Sequence, residues 1–160
     1  MKRVISLVLV ALIAVAVLAG CGSNGSGDAG KSVDLNAVMD KINSENGLSL
    51  EKVTEAKMLN RYYGVDEKDV KQFAAEMDKS DPNAPVEIVL IEANDAAAAE
   101  NVKKALETKY RSVLSTYTSY TPGKVDMVKA CKVTEDGNFL SLIIADNAAA
   151  MVKTYQDSIQ

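Results

Sequence analysis

The chain has 160 residues, with 18 basic and 22 acidic side chains, no histidine and two cysteines. That acidic balance gives no electrostatic footprint for nucleic acid or an anionic lipid surface. Without histidine the commonest general base and metal ligand is missing, which excludes Ser-His-Asp and Cys-His catalysis and nearly all zinc sites.

Met1, Lys2 and Arg3 carry positive charge, and Val4 to Leu18 is apolar except for Ser6, matching the charged and hydrophobic regions of an export signal. The run falls short of the roughly 20 residues that a spanning helix needs, and small residues follow it directly. Leu18, Ala19, Gly20 and Cys21 resemble the bacterial lipobox: an aliphatic residue, two small residues that fit the peptidase, then a cysteine. The resemblance implies that residues 1–20 are a lipoprotein signal peptide, that cleavage falls between Gly20 and Cys21, and that the Cys21 thiol is lipidated. Two acyl chains would hold the chain firmly on a lipid bilayer, at about 0.8 kcal/mol per buried methylene.

Gly22 to Gly30 reads GSNGSGDAG, a flexible tether with a reach on the order of 17 Å. The expected plan is therefore a signal peptide at 1–20, the lipidated cysteine and tether at 21–32, and a single domain at 33–160. A domain of that size buries its own core without staples. Losing Lys2 and Arg3 with the leader leaves 16 basic against 22 acidic side chains, a charge of −6. Only Cys131 then keeps a free thiol, so no intramolecular disulfide forms.

Within the domain, Leu35, Val38, Met39 and Ile42 fall at helical spacing between an Asp34 cap and a Gly47 stop, predicting a helix. Thr54 to Tyr63 reads as a short helix closed by Gly64. Asp66 caps a further turn, with Val65 and Val70 as its hydrophobic staple. Phe73, Ala75 and Met77 alternate with polar or small residues and lean towards strand, although Ala and Glu favour helix.

Asp81 to Pro85 is a turn, and Val86 to Ile91 is an interior strand, apolar on both faces except for Glu87. Asn94 or Asp95 caps a long helix to about Ser119, whose stripe of Ala99, Val102, Leu106, Val113, Tyr117 and Tyr120 omits one turn. After Pro122-Gly123, Val125 to Val133 and Phe139 to Ala145 read as two strands of a hairpin carrying an Asp-Gly signal. Ala148 to Ser158 is a terminal amphipathic helix. The order predicts an α+β fold. Its expected form is a two-layer sandwich of about four mostly antiparallel strands with helices packed on one face, preceded by N-terminal helices.

The tyrosines Tyr62, Tyr63, Tyr110, Tyr117 and Tyr120 invite an aromatic platform, but rings on amphipathic helices ordinarily pack and leave their hydroxyls wet. Asp66, Glu67 and Asp69, or Asp78, Asp81 and Asn83, offer oxygen ligands for calcium. Neither set has the spacing of a calcium loop, and a helix cap and a polar turn explain them; no metal or cofactor is expected. Cys131 falls in the expected strand as a small core residue, with no histidine to activate it.

Tyr63, Gly64, Val65 and Asp66, Glu87 in the strand VEIVLIEA with Asp95 beyond it, Tyr120, Thr121 and Pro122, and Gly137 to Leu140 together resemble an uncharacterised domain family of Gram-positive bacterial lipoproteins. The resemblance runs over residues 34 to 155. Phe139 matches an aromatic position of that family, whereas Glu92 stands near a position that is often basic. The family implies an envelope address and assigns no activity. The leading functional expectation is a non-catalytic module that binds an envelope protein partner or a ligand. The alternatives are a carboxylate-dependent cell-wall hydrolase or transferase, using Glu87 and Asp95 as acid and base, and a small solute-binding lipoprotein.

Overall fold

The computed structural model describes residues 33–80 and 86–160. Gly20, Cys21, the leader, the tether and the turn at 81–85 lie outside the described residues. Chain order runs α1 (Leu35–Asn46), β1 (Glu51–Lys52), α2 (Ala56–Tyr63), β2 (Val70–Met77), β3 (Glu87–Ala93), α3 (Ala96–Tyr120), α4 (Val125–Ala130), β4 (Val133–Asp136), β5 (Phe139–Ile144) and α5 (Ala148–Ile159).

Helix boundaries follow their capping chemistry. Asp34 accepts from the amides of Asn36 and Ala37 and Asp95 from Ala98, while Gly47 and Gly64 close α1 and α2 with φ of 63° and 70°. Each side-chain cap satisfies amides that the helix itself cannot and contributes about 1 kcal/mol. A one-turn 3-10 helix at Glu67–Asp69, capped by Asp66, leads directly into β2.

The fold is α+β, with an antiparallel five-stranded sheet in the order β1-β2-β3-β5-β4. The ambiguous segment from Val70 to Met77 is a strand, paired along its length with β3. β1 is a two-residue edge strand that alternation cannot reveal. The hairpin turn is Gly137-Asn138, with Gly137 at φ 56° and Asp136 facing Phe139.

Two expectations are corrected. Val125 to Val133 is not a strand, because Val125–Ala130 is helical and only Val133 belongs to β4. A 3-10 turn at Pro122–Lys124 feeds a second helical segment, in which Val125 and Val128 lie one turn apart and Cys131 closes the end. The Cys131 thiol donates to the Met127 carbonyl at 3.3 Å, and the residue is buried in the core.

Helices also cover both sheet faces rather than one. On the face of Gln72, Glu76, Ile88 and Leu90 lies α1, because Asn43 donates to Glu76 at 2.7 Å. α5 packs beside α1, joined by hydrogen bonds from Asn147 to Asn46 and from Thr154 to Glu45. On the opposite face, that of Glu87, Val89 and Ile91, lie α2 and α3. All seven residues of β3 are consequently buried, and each large aliphatic among them contributes about 1.5–3 kcal/mol through burial.

The N-terminal end of the domain is tied to the sheet by one side chain. Gln72 donates to the Val33 carbonyl at 2.7 Å and accepts from the Leu35 amide at 3.2 Å. Its amide also donates to Glu92 at 2.5 Å, and Glu92 takes Lys71 at 2.6 Å. The glutamine is thus oriented by a neighbour that is itself paired.

Candidate functional site

The two acids of β3 lie on opposite faces and each has a lysine. Glu92 pairs with Lys71 of β2, whereas Glu87 reaches across to Lys109 of α3 at 2.8 Å. Lys109 sits where the apolar stripe of α3 skips a turn, and Glu87 is the acid that begins an apolar strand. A charge at each of two inward positions requires a partner, and that requirement was a readable sign of their pairing. Sequence reasoning singled out Glu87 and missed Lys109.

The Lys109 ammonium also lies 5.3 Å from the ring centre of Tyr63, within the range of a cation–π contact. Tyr63 meets Tyr62 edge to face, with centroids 6.5 Å apart and planes at 73°. Burial, reinforced by the Glu87 charge and by Tyr62, pushes the Tyr63 phenol well above its ordinary range. Its hydroxyl has no hydrogen-bond partner among the described residues. Tyr63 and Glu87, far apart in sequence, therefore meet around one lysine.

Two hollows flank that lysine. One, of about 290 Å³, lies between the ends of β2 and β3 (Met77, Val86, Glu87) and α3 (Val113, Thr116, Tyr117). The other, of about 450 Å³, lies between the end of α2 (Tyr62, Tyr63, Gly64) and α3 (Lys104, Thr108). Both include Lys109 and Ser112 in their walls, so they form one groove along α3.

The remaining candidate residues disperse. Asp95 is the α3 cap, accepting from the Ala98 amide at 2.8 Å. Glu87 begins β3 and Asp95 lies beyond its other end. Over the seven residues of that strand, at about 3.3 Å each, they stand on the order of 20 Å apart. Tyr117 is buried in the wall of the first hollow, Tyr110 is half-buried, and Tyr120 is 83% exposed at the end of α3. The five rings form no common platform.

Asp66 caps the 3-10 turn, and Lys68, bonding it through both side chain and amide, holds its carboxyl below the ordinary range. Asp69 accepts from Asn101 at 3.2 Å, and Asp78 accepts from the Ser80 amide and hydroxyl. Among the described residues no three acids or cysteines are arranged to hold a metal ion. Burial pushes the Cys131 thiol upward. Among the described residues no helix is long and apolar enough to cross a membrane.

No curated protein and no solved structure matches the chain. One family model does match, over residues 34–145, a span that takes in the whole sheet, α1 to α4 and every wall of the groove. The chain belongs to the family of the domain of unknown function DUF4358.

Proposed function

We propose that this protein is a membrane-anchored extracytoplasmic lipoprotein whose domain is a non-catalytic module that binds a ligand or partner of the cell envelope. One observation carries the non-catalytic reading: Glu87 and Asp95, the best acid–base pair available in the sequence, sit at opposite ends of β3. Each is also committed, Glu87 to Lys109 and Asp95 to the α3 amide. General acid–base chemistry needs both groups within hydrogen-bond reach of one substrate.

The address rests on the charged and apolar leader and on Leu18, Ala19, Gly20 and Cys21. In this reading Cys21 carries the acyl chains that hold the protein on the bilayer. The described chain begins at Val33, beside Gln72 and Glu92, whereas the first hollow lies at the other end of the same strands, near Met77 and Glu87. About five residues of strand, roughly 16 Å, separate the two ends. A ligand at the Glu87 end would therefore sit away from Val33.

Membrane fractionation together with in-cell crosslinking of the tagged protein tests the reading, with Cys21→Ser as the mislocalised control. The parent is expected in the membrane fraction and the variant released from it. A Cys21→Ser protein retained as firmly as the parent would sink the anchoring claim. Hydrolytic activity of the purified chain on wall material, abolished by Glu87→Gln, would sink the non-catalytic one.

A further inference from the structure

From the walls of the groove we infer that it binds an uncharged, polyhydroxylated glycan chain. This deepens the reading of the domain as an envelope-binding module and rests on it. The first ground is shape. The α3 wall runs from Lys104 to Thr116, about 18 Å at 1.5 Å per residue, so the two hollows suit an extended ligand rather than a compact one.

The second ground is the pattern of hydroxyls. Thr108, Ser112 and Thr116 recur every four residues and therefore share one side of α3. Thr108 donates back to the Lys104 carbonyl at 2.8 Å and Thr116 to the Ser112 carbonyl at 3.0 Å. A hydroxyl whose proton is spent on its own helix still has two acceptor lone pairs, one of which Thr108 gives to Arg111 at 3.0 Å, and all three residues are exposed. That row offers acceptors at helical intervals to a ligand rich in O–H donors. Ser112, shared by both hollows, makes no side-chain hydrogen bond among the described residues and is free to donate as well.

The third ground is charge. Lys109, at the junction of the hollows, is already neutralised by Glu87 at 2.8 Å, and Lys104, in the wall of the second hollow, lies 3.8 Å from Glu100, so each of these two lysines faces an acid before it meets a phosphate or carboxylate polymer. The chain as a whole is acidic, which disfavours polyanions further. Opposite the hydroxyl row stands Tyr62, half-buried and steadied by its edge contact with Tyr63. A ring held in this way presents an apolar face on which the C–H surface of a sugar can lie, with the polar tip left to water.

The test is titration of the detergent-solubilised full chain with a soluble β-1,4-linked N-acetylglucosamine oligomer, read by tyrosine fluorescence and by calorimetry, with inorganic polyphosphate as the anionic comparator. The oligomer is expected to bind and polyphosphate not to. Tyr62→Ala and Ser112→Glu should each weaken binding at least tenfold with thermal midpoints close to the parent's, and Tyr120→Ala, outside the groove, should leave it unchanged. Ser112→Ala gives a milder second variant that cannot act through added charge, and is expected to weaken binding several-fold.

Binding of polyphosphate in place of the oligomer, no oligomer binding at all, or binding indifferent to Tyr62 and Ser112 would overturn the proposal. Retention on insoluble wall sacculi, competed by the oligomer, would identify the wall polymer as the source of the glycan. Binding of the oligomer without retention on sacculi would identify a free saccharide. Membrane attachment through Cys21 is read separately, so loss of glycan binding with attachment intact overturns this inference alone.

Discussion

Replacing Lys109 by methionine should be among the most damaging changes a half-exposed residue of this domain can undergo. The side chain of Glu87 is 11% exposed and that of Lys109 22%, so the variant leaves a carboxylate in the sheet–helix interface without its cation. Removing one partner of a fully buried pair costs about 3–5 kcal/mol. The residual exposure of Lys109 lowers that to about 2–3 kcal/mol, and loss of the cation–π contact with Tyr63 adds about 0.5–1 kcal/mol. With a urea dependence of about 2 kcal/mol per molar, a loss near 3 kcal/mol moves the midpoint down by about 1.5 M. Urea unfolding followed by circular dichroism measures it. The double variant Lys109→Met, Glu87→Leu removes both charges and should recover to within about 1 kcal/mol of the parent. Lys153→Met is the exposed control, since Lys153 and Asp157 are 73% and 54% exposed, and should lose under 1 kcal/mol. If Lys109→Met loses no more than Lys153→Met, or if the double variant is no better than the single one, the interface does not depend on this pair.

Burial raises the phenols of both Tyr63 and Tyr155, whereas the unfolded chain releases those protons near pH 10. Above that pH the unfolded state binds fewer protons, so stability falls as pH rises from the unfolded phenol value towards the folded one; the combined variant Tyr63→Phe, Tyr155→Phe should unfold at higher pH by tyrosinate absorbance, and an unchanged alkaline midpoint would contradict the burial argument. Gly64 closes α2 at φ 70° with nothing within 4 Å of an added Cβ, so Gly64→Ala should cost about 1–2 kcal/mol through backbone strain alone, measured by thermal unfolding. Asp95→Ala removes the α3 cap and should cost about 1 kcal/mol, with Asp95→Asn largely retaining it. The Cys131 thiol, buried and raised by that burial, should react with alkylating reagents only as fast as the domain opens; alkylation at the rate of a free peptide thiol under native conditions would show otherwise.

Local chemistry made the helices α1, α3 and α5, the strand β3 and the Gly137 turn readable before any coordinates, because caps, periodicity and turn residues act over a few positions. α4 was hidden because Val125, Met127 and Val133 fit alternation as well as they fit a helical turn, and Pro122-Gly123 marks a break after α3 without fixing whether a helix or a strand follows. The strand VEIVLI, apolar on both sides, already required cover on two faces. On one face that cover is assembled from α1 and α5, which lie at opposite ends of the domain's sequence, and no short-range pattern reports such a pairing. The site was half legible in the same sense. Glu87 was conspicuous as a charge in an apolar strand, and the omitted turn of α3 marked the place of Lys109. Only the fold brings the two, with Tyr63, to a single point.

The grip of Gln72 on Val33 and Leu35 has a mechanical consequence. A load drawn through the residues before Val33 meets two side-chain hydrogen bonds anchored on β2, and through Glu92 on β3, before it can peel the first turn of α1. The tug is delivered to the two strands that share the longest ladder of the sheet. A pull that enters at Val33 is thus shared across the sheet rather than borne by the first turn of α1 alone.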